Sequence, residues 1–188
     1  MKLSDTRIVL GSQSPRRLEI LQNAGFDVAV IVSDVEEIFP EDMPIADVPE
    51  FLAKLKLNSI LSKNSIQNAL VICADTIVVF DNKIIGKPKN TEEAFSILKK
   101  LYGNKHQVIT GVSMYKNNKL YSFSEIAFVY FKTLTDDEIL HYINNYTTLD
   151  KAGAYNIQEY NGIDNIEGEF ENVMGLPIKR ILFEIENW

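Results

Sequence analysis

The hydrophobic pattern of the chain alternates between stretches with the two-residue period of strands and stretches with the longer period of amphipathic helices. Apolar, β-branched runs predict strands in RIVLGS, FDVAVIVS and ALVICADTIVVF, and a pair of long strands in HQVITGVSMYK and LYSFSEIAFVYF. Turn residues at Asp81-Asn82-Lys83 and at Asn117-Asn118 predict two hairpins, the second of which joins the two long strands. The sheet is therefore expected to contain antiparallel pairs.

Capping residues mark where the predicted helices begin. Ser14 and Pro15 have the character of an N-cap and a first helical residue, and Asn90 and Thr135 each precede a glutamate by three positions. Two more helices are predicted in DVPEFLAKLKLNSILSK and LPIKRILFEIE. Because no repeat or linker-like composition interrupts this alternation, the sequence predicts one α/β domain over residues 1–188, either a single unit or two lobes sharing a core, with a mixed, twisted sheet flanked by helices.

The composition limits the ligands and partners of the chain. Its 188 residues carry a net charge of −7, which repels a nucleic-acid backbone. The single cysteine, Cys73, excludes an internal disulfide, and His106 and His141 offer no zinc-ligand spacing, so we expect any metal to be Mg²⁺ or Mn²⁺ held by oxygen atoms. Without a signal-peptide pattern or an apolar run of about 20 residues, we expect a cytoplasmic protein with neither a membrane nor a nucleic-acid partner.

Two adjacent arginines stand in an unexpected place, the first turn of a predicted helix. Arg16 and Arg17 directly follow Ser14-Pro15, where the helix macrodipole favours acidic residues. One interpretation is a solvated helix face. The other is a phosphate-binding site, because free N–H groups at a helix N-terminus and arginine side chains both bind anions.

Other charged or polar residues admit both a structural and a functional interpretation. Lys56 lies at the edge of an apolar helical stripe, where it either extends to solvent or reaches into a cleft. Asp75 and Thr76 interrupt an apolar strand and mark either a turn between two short strands or a carboxylate that meets a cation, a metal or a donor. Lys87 lies in the rigid turn GKPKN, and Glu37 belongs to an acidic pair; both are also compatible with a solvated loop.

The order and spacing of these residues resemble the Maf family of nucleoside triphosphate pyrophosphatases. The blocks that carry the resemblance are LGSQSPRRLEIL, VSDVEE, LAKLK, ADTIVV, GKPKN, ITGVS, DKAGAYNIQ and NVMGLPI, which span nearly the full chain in order. The resemblance implies an elongated, two-lobed fold with a central cleft, like that of inosine triphosphate pyrophosphatases and often dimeric. It also implies cleavage of a nucleoside triphosphate to a monophosphate and pyrophosphate, which removes unwanted or non-standard nucleotides.

The same resemblance implies a role for particular residues. Those implied to bind the triphosphate are Ser12, Arg16, Arg17, Lys56 and Lys87. Glu37 and Asp75 are implied to act in catalysis together with Lys87 and to bind a divalent metal, and Asp75 is also the implied general base. Thr76 and Gln158 resemble the branch of the family that prefers dTTP and UTP.

A second hypothesis is that the chain is a nucleotide-binding regulator of septum formation and cell division with little turnover, a role to which members of the family have been linked. The chain keeps every acidic and basic position expected of the enzyme, which disfavours a purely structural protein. A nucleic-acid-binding module is disfavoured by the charge and by the lack of a basic stripe with aromatic residues.

Overall fold

Seven strands form one mixed sheet in the computed structural model, which describes residues 6–159 and 162–188. The strands are β1 (Arg7–Leu10), β2 (Asp27–Val30), β3 (Leu70–Phe80), β4 (Lys83–Ile85), β5 (Lys105–Lys116), β6 (Lys119–Phe131) and β7 (Ile163–Glu167). Their order is β2-β1-β3-β5-β6-β7, and β4 pairs with β3. The pairs that β1 makes with β2 and β3 are parallel, and all the others are antiparallel.

Six helices flank the sheet in the described part of the chain. They are α1 (Pro15–Asn23), α2 (Val48–Lys63), α3 (Thr91–Leu101), α4 (Asp136–Asn145), α5 (Phe170–Met174) and α6 (Ile178–Glu186). None of the helices seen in residues 6–159 and 162–188 has the length and apolar character needed to cross a membrane. The predicted α/β class with a mixed sheet is confirmed.

Both predicted hairpins are present. Asp81 and Asn82 have φ angles of +53° and +55°, and Asn117 and Asn118 have φ angles of +51° and +61°. Two successive left-handed residues form the turn that matches the twist of the flanking strands, and Asn and Asp tolerate this conformation better than other non-glycine residues do. Side-chain chemistry in the turns thus sets the register of both hairpins.

The predicted helix caps are confirmed at two of the three positions. Asn90 accepts a hydrogen bond from the backbone N–H of Glu93 at 2.9 Å, and Thr135 forms a full capping box with Glu138. The α1 helix begins after Ser14 as predicted, but the Ser14 side chain makes no capping hydrogen bond. The first N–H groups of α1 therefore receive no side-chain cap.

One structural alternative for the central strand is wrong. Asp75 and Thr76 do not form a turn, because β3 runs without interruption through both residues. The sequence pattern also missed β7 and α5, as well as single 3₁₀ turns at Ile45–Asp47 and Ala152–Ala154. Strand β7 is short and mostly polar, and α5 is too short to display an amphipathic period.

The two faces of β3 pack against different helices. Leu70 and Ile72 belong to the larger core, which also contains residues of α1, α3, α4 and α6. Val71 and Cys73 point to the opposite face and pack against α2. Burial raises the pKa of the Cys73 thiol to about 12, so this cysteine behaves as a small apolar residue. Because side chains alternate along a strand, Asp75 is expected on the α2 face and Thr76 on the other.

Helix α2 approaches the sheet closely at a glycine. Gly111 of β5 pairs with Asp75 of β3, and a Cβ atom at Gly111 would lie 2.1 Å from the backbone nitrogen of Glu50 and 2.2 Å from the carbonyl carbon of Pro49. Those atoms belong to the first turn of α2 and cannot move unless the helix moves. The glycine of the ITGVS block therefore determines how near α2 lies to Asp75.

We expect Gly111→Ala to lower the free energy of unfolding by about 3 kcal/mol, the upper part of the range for overpacking a core, because the added methyl group meets backbone. Urea denaturation followed by circular dichroism measures the change. Gly86→Ala is the matched control, since a Cβ atom there meets no atom within 4 Å. A loss for Gly111→Ala no larger than that of the control would contradict this account of the contact.

Candidate active site

A gap in the hydrogen bonding along one edge of β3 forms the floor of a cleft. On this edge β1 pairs only with Leu70, Val71 and Ile72, and β4 pairs only from Val78 onward. The cleft has a volume of about 900 Å³. Its walls come from residues 11–17 between β1 and α1, the loop after β2, one side of α2, the β4 region and residues 150–158. All nine residues singled out by the sequence line it: Ser12, Arg16, Arg17, Glu37, Lys56, Asp75, Thr76, Lys87 and Gln158.

A lysine and two carboxylates form a cluster on the α2 side of the cleft. The Nζ atom of Lys56 lies 2.5 Å from Oδ1 of Asp75 and 2.8 Å from Oε1 of Glu37. The side chains of Lys56 and Asp75 are 12% and 11% exposed, whereas that of Glu37 is 57% exposed. Lys56 therefore reaches into the cleft, and its hydrogen bonds compensate for the burial of Asp75.

The charge of Lys56 also acts on the ionisation of Glu37. Partial burial is the largest effect on this carboxyl and opposes its ionisation, but the hydrogen bond and charge of Lys56 and the charge of Lys87 outweigh it. The pKa of Glu37 therefore lies below its ordinary value. Glu37 is an anion at neutral pH.

Arg17 is committed to the protein itself. Its guanidinium donates hydrogen bonds to four oxygens: the carbonyl of Gly175 at 2.8 Å, the carbonyl of Ala74 at 2.8 Å, Oγ of Ser12 at 3.1 Å and Oγ1 of Thr76 at 3.0 Å. Burial lowers the pKa of Arg17 from its ordinary value, an effect opposed by the charge of Asp75. The acceptors come from three segments of the chain, so Arg17 ties α1 to the free edge of β3 and to the end of α5.

The hydrogen bonds of Thr76 have a defined direction. Thr110 donates its single hydroxyl hydrogen to the carbonyl of Asn172 at 3.0 Å, so the 2.9 Å contact between the two threonine hydroxyls is donated by Thr76. Thr76 meanwhile accepts from Arg17. The Thr76 hydroxyl can therefore accept a further hydrogen bond from a ligand but cannot donate one.

Two cations of the cleft have no direct partner within the described residues. Neither Arg16 nor Lys87 makes a hydrogen bond or an ion pair there; Arg16 is partly buried and Lys87 is exposed. Ser12 accepts hydrogen bonds from Arg17 and from the backbone N–H of Ser14, which leaves its own hydrogen available to a ligand. Together with the uncapped start of α1, these groups form an anion-binding wall.

Gln158 lies on the far side of the cleft. Its side chain is exposed and makes no hydrogen bond to the part of the protein that the structure describes. The buried Asn156 side chain instead accepts from the backbone N–H of Gln158 at 3.3 Å and so shapes the loop. The amide of Gln158 is available to a ligand.

Sequence reasoning did not assign roles to several residues that build the site. Gly111 sets the position of α2, Thr110 orients Thr76, and Asn172 and Gly175 supply carbonyl acceptors. The blocks ITGVS and NVMGLPI contain all four, so the signal was present in the sequence, but their roles depend on contacts between distant segments.

The carboxylates of the cleft suit a metal ion that takes its other ligands from a bound molecule. No group of three or more His, Cys, Asp or Glu side chains suited to a metal occurs among residues 6–159 and 162–188. Glu37 and Asp75 are nevertheless close enough to share the Lys56 ammonium. Mg²⁺ characteristically uses one or two carboxylates together with phosphate oxygens, and this pair fits that pattern.

Known proteins resemble this chain in fold and in sequence. A Staphylococcus aureus structure, "The structure of the Staphylococcus aureus Ham1 protein", matches 97% of this chain and 99% of its own with a TM-score of 0.54 at 17% identity, which shows a shared fold. Proteins named dTTP/UTP pyrophosphatase are 42% identical over 187 residues in Cytophaga hutchinsonii and 44% identical over 185 residues in Thermoanaerobacter sp.. These alignments cover 98% and 95% of this chain, and 85% and 94% of the relatives.

The family comparison agrees with the resemblance found in the sequence. The model of the Maf-like protein family matches residues 7–188, which includes every residue of the cleft described above. With this match and full-length relatives at about 40% identity, the chain belongs to the Maf-like protein family.

Proposed function

We propose that the chain hydrolyses dTTP and UTP to a nucleoside monophosphate and pyrophosphate by cleaving the α–β phosphoanhydride bond. The observation that carries the proposal is the division of one cleft into an uncommitted cationic wall and a carboxylate–lysine cluster. The cationic wall suits the binding of a triphosphate with about four negative charges, and the carboxylate–lysine cluster suits the activation of water. Relatives at about 40% identity over nearly the whole chain bear the name dTTP/UTP pyrophosphatase.

Arg16 and Lys87 bind the triphosphate in this proposal. Both cations are without a direct partner among the described residues, so they lose no existing ion pair when phosphate arrives. Ser12 donates its hydroxyl hydrogen to a phosphate oxygen, and the uncapped start of α1 adds backbone donors. Arg17 contributes by holding this wall in place and through its positive charge.

Asp75 acts as the general base in this proposal. Its position in the middle of a strand fixes the carboxylate, so a water molecule between it and the phosphates has a defined orientation. Glu37 and Asp75 would hold Mg²⁺ or Mn²⁺ together with phosphate oxygens; when bound, such a metal offsets charge on the phosphates and lowers the pKa of the attacking water. The proton of that water passes to a carboxylate oxygen of Asp75.

Gln158 recognises the base in this proposal. Uracil and thymine present two carbonyl acceptors around one N3–H donor, and a carboxamide can donate to a carbonyl and accept from that N–H. Thr76 can accept a further hydrogen bond but not donate one, which leaves the pairing with the carbonyls to Gln158. With the Gln158 amide held in this orientation in the complex, a cytosine amine at one of these positions would leave polar groups unpaired.

We further propose that the protein works in the cytoplasm without a nucleic-acid or membrane partner. The buried, unpaired thiol of Cys73 and the net charge of −7 support this proposal. Association into a homodimer stays a prediction from the family resemblance.

Digestion of UTP by the protein with Mg²⁺ or Mn²⁺ is expected to yield UMP and pyrophosphate, because the carboxylate cluster activates water at the α–β bridge. Ion-exchange chromatography separates these products from UDP and orthophosphate. Asp75→Asn is the control, and we expect its turnover to fall by about 100-fold or more, the contribution of a general base. UDP with orthophosphate would contradict the proposed bond cleavage, and nucleotide binding without metal-dependent turnover would favour a regulator instead.

Arg16→Ala is expected to weaken substrate binding, whereas Arg17→Ala is expected to lower thermal stability. Loss of Arg16 removes a charge-assisted hydrogen bond worth about 1.5–3 kcal/mol and raises KM for UTP by about tenfold or more, with an unchanged melting temperature. Loss of Arg17 leaves the carbonyls of Ala74 and Gly175 without their donor, and each costs about 1–3 kcal/mol, so the melting temperature falls. Calorimetry and steady-state kinetics on both variants check this contrast, which equal melting temperatures would refute.

Gln158→Ala is expected to reduce the preference for UTP over CTP, measured as the ratio of kcat/KM values, by roughly 30-fold, since two neutral hydrogen bonds contribute about 1 kcal/mol each. Glu159→Ala is the matched control: this neighbouring residue is also exposed but does not line the cleft. If the preference of Gln158→Ala for UTP over CTP equals that of the control, Gln158 does not read the base.

A further inference from the structure

Lys56 occupies the position between the two carboxylates that the proposed function assigns to a metal. Its ammonium contacts one oxygen of Glu37 and one of Asp75, at 2.8 Å and 2.5 Å. The three side chains carry a net charge of −1 together. A single positive charge thus already bridges the pair that would otherwise attract a free divalent cation.

A metal and the ammonium cannot share this position at low cost. A Mg²⁺ ion held by both carboxylates would lie close to Nζ of Lys56, which itself contacts one oxygen of each. The Lys56 and Asp75 side chains are only 12% and 11% exposed, so water screens the repulsion between the two cations poorly. The repulsion therefore disfavours a metal at both carboxylates for as long as Lys56 stays between them.

A nucleoside triphosphate supplies the reason for Lys56 to leave. It adds about four negative charges to the cleft, and Lys56 can then exchange the carboxylates for phosphate oxygens. Glu37 is suited to this exchange because it lies in a loop without regular secondary structure and is 57% exposed, whereas Asp75 is held within β3. The change thus requires one lysine rotamer and one loop side chain to move.

We propose that Lys56 is a surrogate cation: its ammonium occupies the Glu37–Asp75 pair and prevents free divalent metal from binding there. Lys56 leaves the two carboxylates only when metal arrives together with a triphosphate. This inference rests on the proposed function, because it takes the two carboxylates as the metal ligands. It assigns Lys56 a second role besides phosphate binding: it couples the binding of metal to the binding of nucleotide. Protein without nucleotide would then take up little Mn²⁺.

Removal of the Lys56 charge is expected to open the site to metal in the absence of nucleotide. One opposite charge at this distance changes the proton affinity of a carboxyl by about 10- to 1000-fold, so we expect the Kd for Mn²⁺ to fall by at least about tenfold in Lys56→Met. Electron paramagnetic resonance of free Mn²⁺ during a titration of the full chain measures this Kd. Lys54→Met is the matched control, because Lys54 lies on the same helix and is exposed.

Two further variants complete the test. Lys56→Gln removes the charge but keeps a hydrogen-bond donor for Asp75, and it replaces Lys56→Met if that variant does not fold. In Lys56→Gln/Asp75→Asn the gain in Mn²⁺ affinity is expected to disappear, and with it any rise in melting temperature that Mn²⁺ causes in Lys56→Gln.

The outcomes separate this inference from the proposed function. An unchanged Mn²⁺ affinity in a folded Lys56 variant would overturn the surrogate-cation role, even with metal-dependent UTP hydrolysis by the wild type intact. A gain in affinity that persists in the Asp75→Asn background would overturn it as well, since the metal would then be bound elsewhere. Failure of the wild type to hydrolyse UTP with either metal would instead overturn the proposed function.

Discussion

The cleft depends on how the free edge of β3 is satisfied. An unpaired strand edge exposes backbone carbonyls that must find donors, and here β1 ends before β4 begins. Arg17 donates to the Ala74 carbonyl on this edge, and the same guanidinium reaches Ser12, Thr76 and Gly175. One side chain therefore satisfies a carbonyl of this edge and joins the segments that surround the gap.

The alternation of side chains along β3 divides the chemistry of the cleft. Asp75 points to the α2 face, where Lys56 and Glu37 meet it, and Thr76 points to the face of α1 and α5. The acidic cluster and the neutral hydroxyl network are thus separated by the thickness of a strand, although the two residues are adjacent in sequence. Gly111 completes the arrangement because it lets α2 approach the sheet.

The basic residues of the cleft differ in how much of their hydrogen-bonding capacity the protein already uses. Arg17 and Lys56 each contact several acceptors of the protein, whereas Arg16 and Lys87 contact none among the described residues. A cation that already has partners contributes position and potential, and a cation without them contributes new hydrogen bonds. Within a protein that carries a net charge of −7, the cleft thus offers a polyanion a local set of cations with unused hydrogen-bond donors.

The sequence by itself determined the local features, because they depend on neighbouring residues: the period of β3, the hairpins at Asn82 and Asn118, and the caps at Asn90 and Thr135. It also predicted which residues would line the cleft, through the family resemblance. Only the tertiary structure decided which of these side chains already use their hydrogen-bonding groups within the protein and which keep them for a ligand. Arg16 and Arg17 are adjacent and identical in residue type, so the sequence does not distinguish them. In the fold, Arg17 lies against β3 and α5, and its guanidinium donates to acceptors such as the carbonyl of Gly175, which is 158 residues away. Such contacts follow from how distant segments pack, and no local pattern records them.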